Sequence, residues 1–180
     1  VFAVDGALPR TLDRPQFRAH FGSGNTVTER QTPFHMMHRV ALMNVRSRLI
    51  LDDQLSPYRR SEIRLAHTIL QQIPDHTLAL FDKGLCSADL PLNLNTHGQH
   101  RHWLIPARQG LVGEEVIRHG ERDRLLRMKV SPRARKRNPT LPAYWEVREV
   151  SYEWQDKVKT VLTSLPADRY SARAVAELYQ

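Results

Sequence analysis

A single cysteine, Cys86, occurs in the 180-residue sequence. That excludes an internal disulfide and any zinc site built on several thiolates, and it fits a reducing compartment such as the cytoplasm. No apolar run approaches the roughly 20 residues that a membrane-spanning helix needs. The opening Val1-Phe2-Ala3-Val4 is too short, and lacks the basic start, for a signal peptide. The absence of an initiating Met is what a piece of a longer chain would show. Acids are scarce against bases: 19 Asp and Glu face 27 Lys and Arg, for a net charge of +8 and a pI near 10.1. That imbalance points to a polyanionic partner, nucleic acid ahead of a membrane surface. Hydrophobic residues at 41% and charged residues at 26% leave enough apolar material for one domain with a real core.

The basic charge is concentrated. Between Arg118 and Arg137 stand nine Lys or Arg against two acids, a local net of +7. A solvated face and a nucleic-acid contact are equally good readings of such a run. "VFAVDG" (1–6) reads as a short strand closed by Asp5-Gly6. Residues 7–32 are polar and read as a long loop, a length uncommon without a function. "FHMMHRVALMNV" (34–45) and "LILDDQL" (49–55) form a hairpin around "RSR". Ser61 suits a helix N-cap, and Glu62 suits the positive helix start. Ala66, Ile69, Leu70 and Ile73 then recur at helical spacing until Pro74. "TLALFD" (77–82) and "RHWLIPA" (101–107) are strands, with a short helix over 87–97 between them. A basic, proline-interrupted segment follows, with candidate strands "LLRMKV", "YWEVREVSYEW" and "KTVLTSL". "SARAVAELYQ" opens a last helix. The order predicts a mixed sheet covered by helices.

Asp5 and Asp82 share one pattern: an apolar strand, an Asp, then Gly at once or one residue later. Each is an ordinary turn signal on its own. If the two strands are parallel neighbours, the carboxylates lie on one rim about 4.8 Å apart, where open α/β sheets collect ligand-binding groups. Two carboxylates that close repel each other. A hard divalent cation such as Mg²⁺ relieves that and takes carboxylate and phosphate oxygens, and paired ions serve in-line phosphoryl transfer. Turn and site both remain open on these residues alone. A dehalogenase-like phosphatase fits poorly, because Ala7 stands where that class needs a second Asp.

The sequence resembles the insertion-element-4 family of DDE transposases. "VDG" (4–6), "FRAHFG" (17–22), "YRRSE" (58–62), "LFDKG" (80–84), "HGQHRHWLIPARQG" (97–110), "SPRARKRNP" (131–139) and "VLTSL" (161–165) carry the resemblance through nearly the whole chain. It implies an α/β fold: a ribonuclease-H-like mixed sheet flanked by helices, with a β-rich insertion before the last helix. The implied division is a core over 1–110, the insertion over 111–165 and a truncated last catalytic helix over 166–180. Asp5 and Asp82 would be the first two metal-binding acids, for Mg²⁺ or Mn²⁺. The third is a Glu in a helical motif of Tyr, Arg three residues on and Glu four further. "ELYQ" (177–180) opens that motif with Tyr179, and the Arg and Glu would follow Gln180, so Glu177 is not assigned. Where the family often has an aromatic after Asp-Lys-Gly, Leu85-Cys86 stand. The resemblance further implies cleavage at element ends and strand transfer into target DNA, a homodimer that joins the two ends, no membrane partner, and a bacterial, nucleoid-associated setting. A DNA-binding remnant without activity and another ribonuclease-H-like nuclease are the alternatives.

Lys83, Arg133, Arg135, Lys136 and Arg137 are the candidate DNA contacts, with an exposed turn lysine an equal reading for Lys83. Arg59 and Arg60 fit a solvated turn better than DNA. His97, His100 and His102 fit a strand entry better than a metal site. Trp103, Trp145 and Trp154 fit packing better than base stacking, and Cys86 fits a packed small residue.

Overall fold

The first strand, β1 (Phe2–Ala7), buries Phe2 and Val4 and leaves Asp5 exposed, an alternation with period two. The computed structural model describes residues 1–22, 34–96 and 98–179. Helix α1 (Pro15–Phe21) interrupts the segment expected to be loop. It buries none of its residues, so it leaves no hydrophobic period to read. Residues 23–32 of that expected loop, and His97, lie outside the described residues.

Strands β2 (Met37–Asn44) and β3 (Ile50–Pro57) make the expected hairpin. Asn44 organises its turn, the side-chain oxygen accepting from the amides of Arg46 and Ser47 at 3.0 and 3.1 Å. Helix α2 (Glu62–Leu70) buries Ala66, Ile69 and Leu70, the positions its spacing marked. Ser61 sits at its N-cap in extended geometry, but its hydroxyl makes no capping bond. Strand β4 (Leu78–Phe81), a single 3₁₀ turn (Lys83–Leu85), α3 (Asp89–Thr96) and β5 (His102–Pro106) follow. Next come β6 (Gly113–Gly120), β7 (Asp123–Lys129), α4 (Pro132–Arg137), β8 (Tyr144–Trp154), β9 (Lys157–Thr163) and α5 (Ala172–Glu177). Strand β6 escaped the sequence reading because nearly all of it is exposed and its sequence does not alternate.

All described strands join one sheet in the order β3-β2-β1-β4-β5-β9-β8-β7-β6. β1 runs parallel to β4 and β4 to β5; the other pairs are antiparallel. This is the expected mixed α/β sheet flanked by helices. Its two faces carry two cores. Val4, Phe81, Trp103, Ile105, Trp145, Val147 and Leu162 pack under α2, α3 and α4. Leu104, Val150 and Val161 pack under α5, which contributes Val175 to this core. Deep on the α5 side of β8, the Arg148 guanidinium donates to Asp123 at 2.8 and 2.6 Å and to the Leu165 carbonyl at 3.0 Å. No helix among the described residues is long and apolar enough to cross a membrane.

Candidate active site

The parallel register Phe2↔Ala79, Ala3↔Leu80, Val4↔Phe81 sets the site. One step further along each chain stand Asp5 and Asp82. The amide of Asp82 donates to the Val4 carbonyl at 3.2 Å, so the pairing continues to the second acid. Val4 and Phe81 point into the core beneath α2. Side chains alternate along a strand, so Asp5 and Asp82 turn to the opposite face, the one α5 covers.

The two acids are not equivalent. Asp82 does serve as a turn residue: its Oδ2 accepts the Gly84 amide at 2.7 Å and caps the 3₁₀ turn. That leaves the other oxygen open. Asp5 is not in a turn, contrary to the Asp5-Gly6 expectation. It lies inside β1, paired in register with Ala41. A carboxylate there has no local backbone group to cap. Among the described residues it has no hydrogen-bond or ion-pair partner.

A third carboxylate reaches the rim from the other face. Glu62, first residue of α2, lies over both glycines of the pattern: a Cβ on Gly6 would collide with Glu62 Oε1, and one on Gly84 would sit 3.6 Å from Glu62 Oε2 and 2.9 Å from Asp82 Oδ2. A side chain at either glycine would therefore push a carboxylate aside: that of Glu62 at Gly6, that of Asp82 at Gly84. Burial pushes the Glu62 carboxyl above its usual range, and the negative charges of Asp82 and Asp5 add to this, while His38 pulls the other way. No ion pair neutralises any of the three among the described residues. The sequence reading took Glu62 only as a favourable helix-start charge. Its spacing from the two Asp residues carries no signal, because the approach is tertiary.

Tyr179 closes the α5 side. Its hydroxyl donates to the Phe81 carbonyl at 3.2 Å. Burial, with the charges of Asp82 and Asp5 nearby and Tyr152 beside it, pushes its pKa up to about 12. It therefore remains a donor at neutral pH. Lys83 is exposed beside Asp82. Arg108 braces that turn by donating to the carbonyls of Lys83, at 3.4 Å, and Gly84, at 2.5 Å.

The basic run is split by its helix. Arg133, Arg135 and Lys136 are exposed on α4, on the sheet face opposite Tyr179. Arg137 turns inward to within 3.9 Å of the buried Asp89, which also pairs with His67 at 2.9 Å. Trp103 and Trp145 stack with centroids 5.7 Å apart in the core, as expected, whereas Trp154 is 41% exposed and is not a packing residue. His100 stacks on His76, and His102 faces Ser164. No set of three or more His, Cys, Asp and Glu among the described residues is arranged as a ready-made metal site. The donors at the rim are nonetheless oxygen-only and uncompensated, the set that suits a hard cation shared with a phosphate.

A mixed sheet that runs β3-β2-β1-β4-β5, with β1, β4 and β5 parallel, helices on both faces and two carboxylates meeting where β1 and β4 lie side by side, is consistent with a ribonuclease-H-like fold. Comparison with known proteins identifies the family. Residues 2–180 match the family model described as "Transposase DDE domain", and the chain belongs to that family. It is 47% identical over 116 residues to "Putative transposase InsZ" of Escherichia coli (strain K12), covering 64% of this chain and 39% of that one. It is 33% identical over 180 residues to "Transposase InsG for insertion sequence element IS4" of the same organism, covering 99% of this chain and 40% of that one. The chain thus spans about 40% of the length of these relatives. Among solved structures, the piggyBac transposase synaptic complex with hairpin DNA aligns with a TM-score of 0.46 at 10% identity, over 99% of this chain and 37% of that one.

Proposed function

We propose that the chain is the catalytic-core portion of a DNA transposase that cuts at the ends of an insertion element and joins the freed ends to target DNA. Asp5 and Asp82 would hold Mg²⁺, or Mn²⁺ in its place. The observation that carries this reading is the pair itself: two carboxylates where the adjacent parallel strands β1 and β4 run side by side, Asp5 within β1 and Asp82 just past β4, with no ion pair to either among the described residues. Bound there, the metal would supply charge neutralisation and an activated oxygen nucleophile. In the first reaction water bonds to phosphorus, the bond to the 3′ oxygen breaks, and a 3′-hydroxyl and a 5′-phosphate result. In the second that 3′-hydroxyl attacks a target phosphodiester and displaces its 3′ oxygen. Each attack forms one phosphorus–oxygen bond and breaks one.

The chain's own residues act by placement. The β1–β4 pairing fixes the acids, the Gly84 amide orients Asp82, and the glycines leave room for Glu62 as a third carboxylate. Tyr179 pins the last helix to the strand that carries Asp82. By resemblance to the family, its third acid follows Tyr179 beyond Gln180, so residues 1–180 alone would bind DNA without cutting it. The core over 1–110, the insertion over 111–165 and the helix from 166 follow the family division. Arg133, Arg135 and Lys136 remain available for DNA, and two copies would bring the element ends together in the bacterial cytoplasm.

The test is nicking of element-end duplexes in Mg²⁺ by the longest form of the protein that carries this chain. Asp5→Asn and Asp82→Asn should retain end binding and lose nicking by at least about 10³-fold. Wild-type cutting by either variant would remove that residue from the site.

A further inference from the structure

Strands β8 and β9 extend beyond the reach of α5. Their register pairs Val150 with Val161, Tyr152 with Lys159 and Trp154 with Lys157. Period two puts all six side chains on one face. The two valines lie beneath α5, whereas Trp154, Lys157 and Lys159 are exposed. Tyr152, Trp154, Lys157 and Lys159 of this face line a cleft of about 820 Å³, together with Ser151, Val158 and Thr160 of the other face and with Lys83, Arg108 and Tyr179. The cleft reaches Lys83, the residue after Asp82, and Tyr179, whose hydroxyl bonds the Phe81 carbonyl just before it.

Its charge is one-sided. Lys83, Arg108, Arg124, Lys157 and Lys159 line it, against one carboxylate, Glu149, which Arg124 already holds at 2.7 Å. Lys83, Lys157 and Lys159 have no ion pair among the described residues. Cations left unpaired along one open cleft that reaches Lys83 complement a polyanionic strand. The α4 run is a poorer track: it lies on the other face of the sheet, and Arg137 points inward to Asp89.

We propose that the exposed β8–β9 face, through Lys157, Lys159 and Lys83, is the binding track for the DNA backbone adjoining the cut phosphate. This rests on the transposase reading and adds where the substrate strand runs. The contacts are to phosphate, so they set position and affinity without reading sequence.

The experiment measures duplex DNA affinity against salt for the wild type, the double variant Lys157→Gln/Lys159→Gln, the charge-preserving Lys157→Arg/Lys159→Arg, and Arg133→Gln/Lys136→Gln. Loss of two phosphate contacts should reduce the slope of log K against log salt by about 1.8. The arginine pair should keep the wild-type slope, and the α4 pair should change it less than the Lys157/Lys159 glutamine pair. Lysine acetylation followed by mass spectrometry provides a second readout: Lys157 and Lys159 should react in the free protein and be protected by DNA. An unchanged slope in the Lys157/Lys159 glutamine pair overturns the proposal. So does blockage of the two lysines before DNA is added, which would mean that another part of the protein covers the face. A wild type that binds no DNA overturns the transposase reading itself, and the two failures are thereby distinguished.

Discussion

The Tyr179 hydroxyl donates to the Phe81 carbonyl at 3.2 Å across 98 residues of sequence. That bond ties the last turn of the chain to the backbone immediately before Asp82. Tyr179→Phe keeps the ring and removes the bond, so it should cost about 1 kcal/mol in urea unfolding. The pH dependence has a definite sign. The folded pKa near 12 lies above the unfolded value of about 10. The native state then binds more protons than the unfolded state, and stability falls as pH rises from about 10 to about 12. The Phe variant should lack this part of the slope. A Phe variant with wild-type stability and the same alkaline slope would sink the assignment.

Glu62 shares the rim with Asp5 and Asp82, and the like charges repel. Glu62→Gln should therefore leave the metal-free protein at least as stable as the wild type, while reducing the rise in Tm caused by Mg²⁺. Gly6→Ala should reduce the same Mg²⁺ response, because its methyl takes the space of the Glu62 carboxylate. Thermal melts in EDTA and in excess Mg²⁺ read both effects. A destabilised Gln variant with a full Mg²⁺ shift would show that Glu62 is only a structural residue.

Asp123 and Arg148 are 7% and 4% exposed and meet through two hydrogen bonds. Asp123→Ala leaves a buried guanidinium whose remaining acceptor is the Leu165 carbonyl. The expected loss is about 3–5 kcal/mol, because an uncompensated buried charge is costlier than the absence of the whole pair. Replacing both residues with apolar ones should recover much of the loss in a chemical denaturation series.

The elements built on local apolar pattern were legible. Leu78 to Phe81 read as a strand, and Ala66, Ile69 and Leu70 read as the inner face of a helix, because burial on one side imposes a period on neighbouring residues. Elements with no buried side escaped: α1 buries nothing and β6 is almost wholly exposed. Trp154 was expected to pack. It lies past the end of the helix that covers Val150 two turns of the pleat earlier, a limit set by where α5 ends and not by anything local to β8.

The sequence by itself determined two Asp residues that follow apolar runs, each with a glycine one or two residues on, and a surplus of positive charge. Those are facts of residue type and order, and they suffice to name the candidate acids. Only the tertiary structure decided that β1 and β4 are parallel neighbours, that Glu62 and Tyr179 approach the rim from opposite faces, and that the unpaired lysines line the cleft beside it while Arg137 turns inward. These depend on strand order and on which face each helix covers. Both are set by long-range packing, which no short stretch of chain encodes.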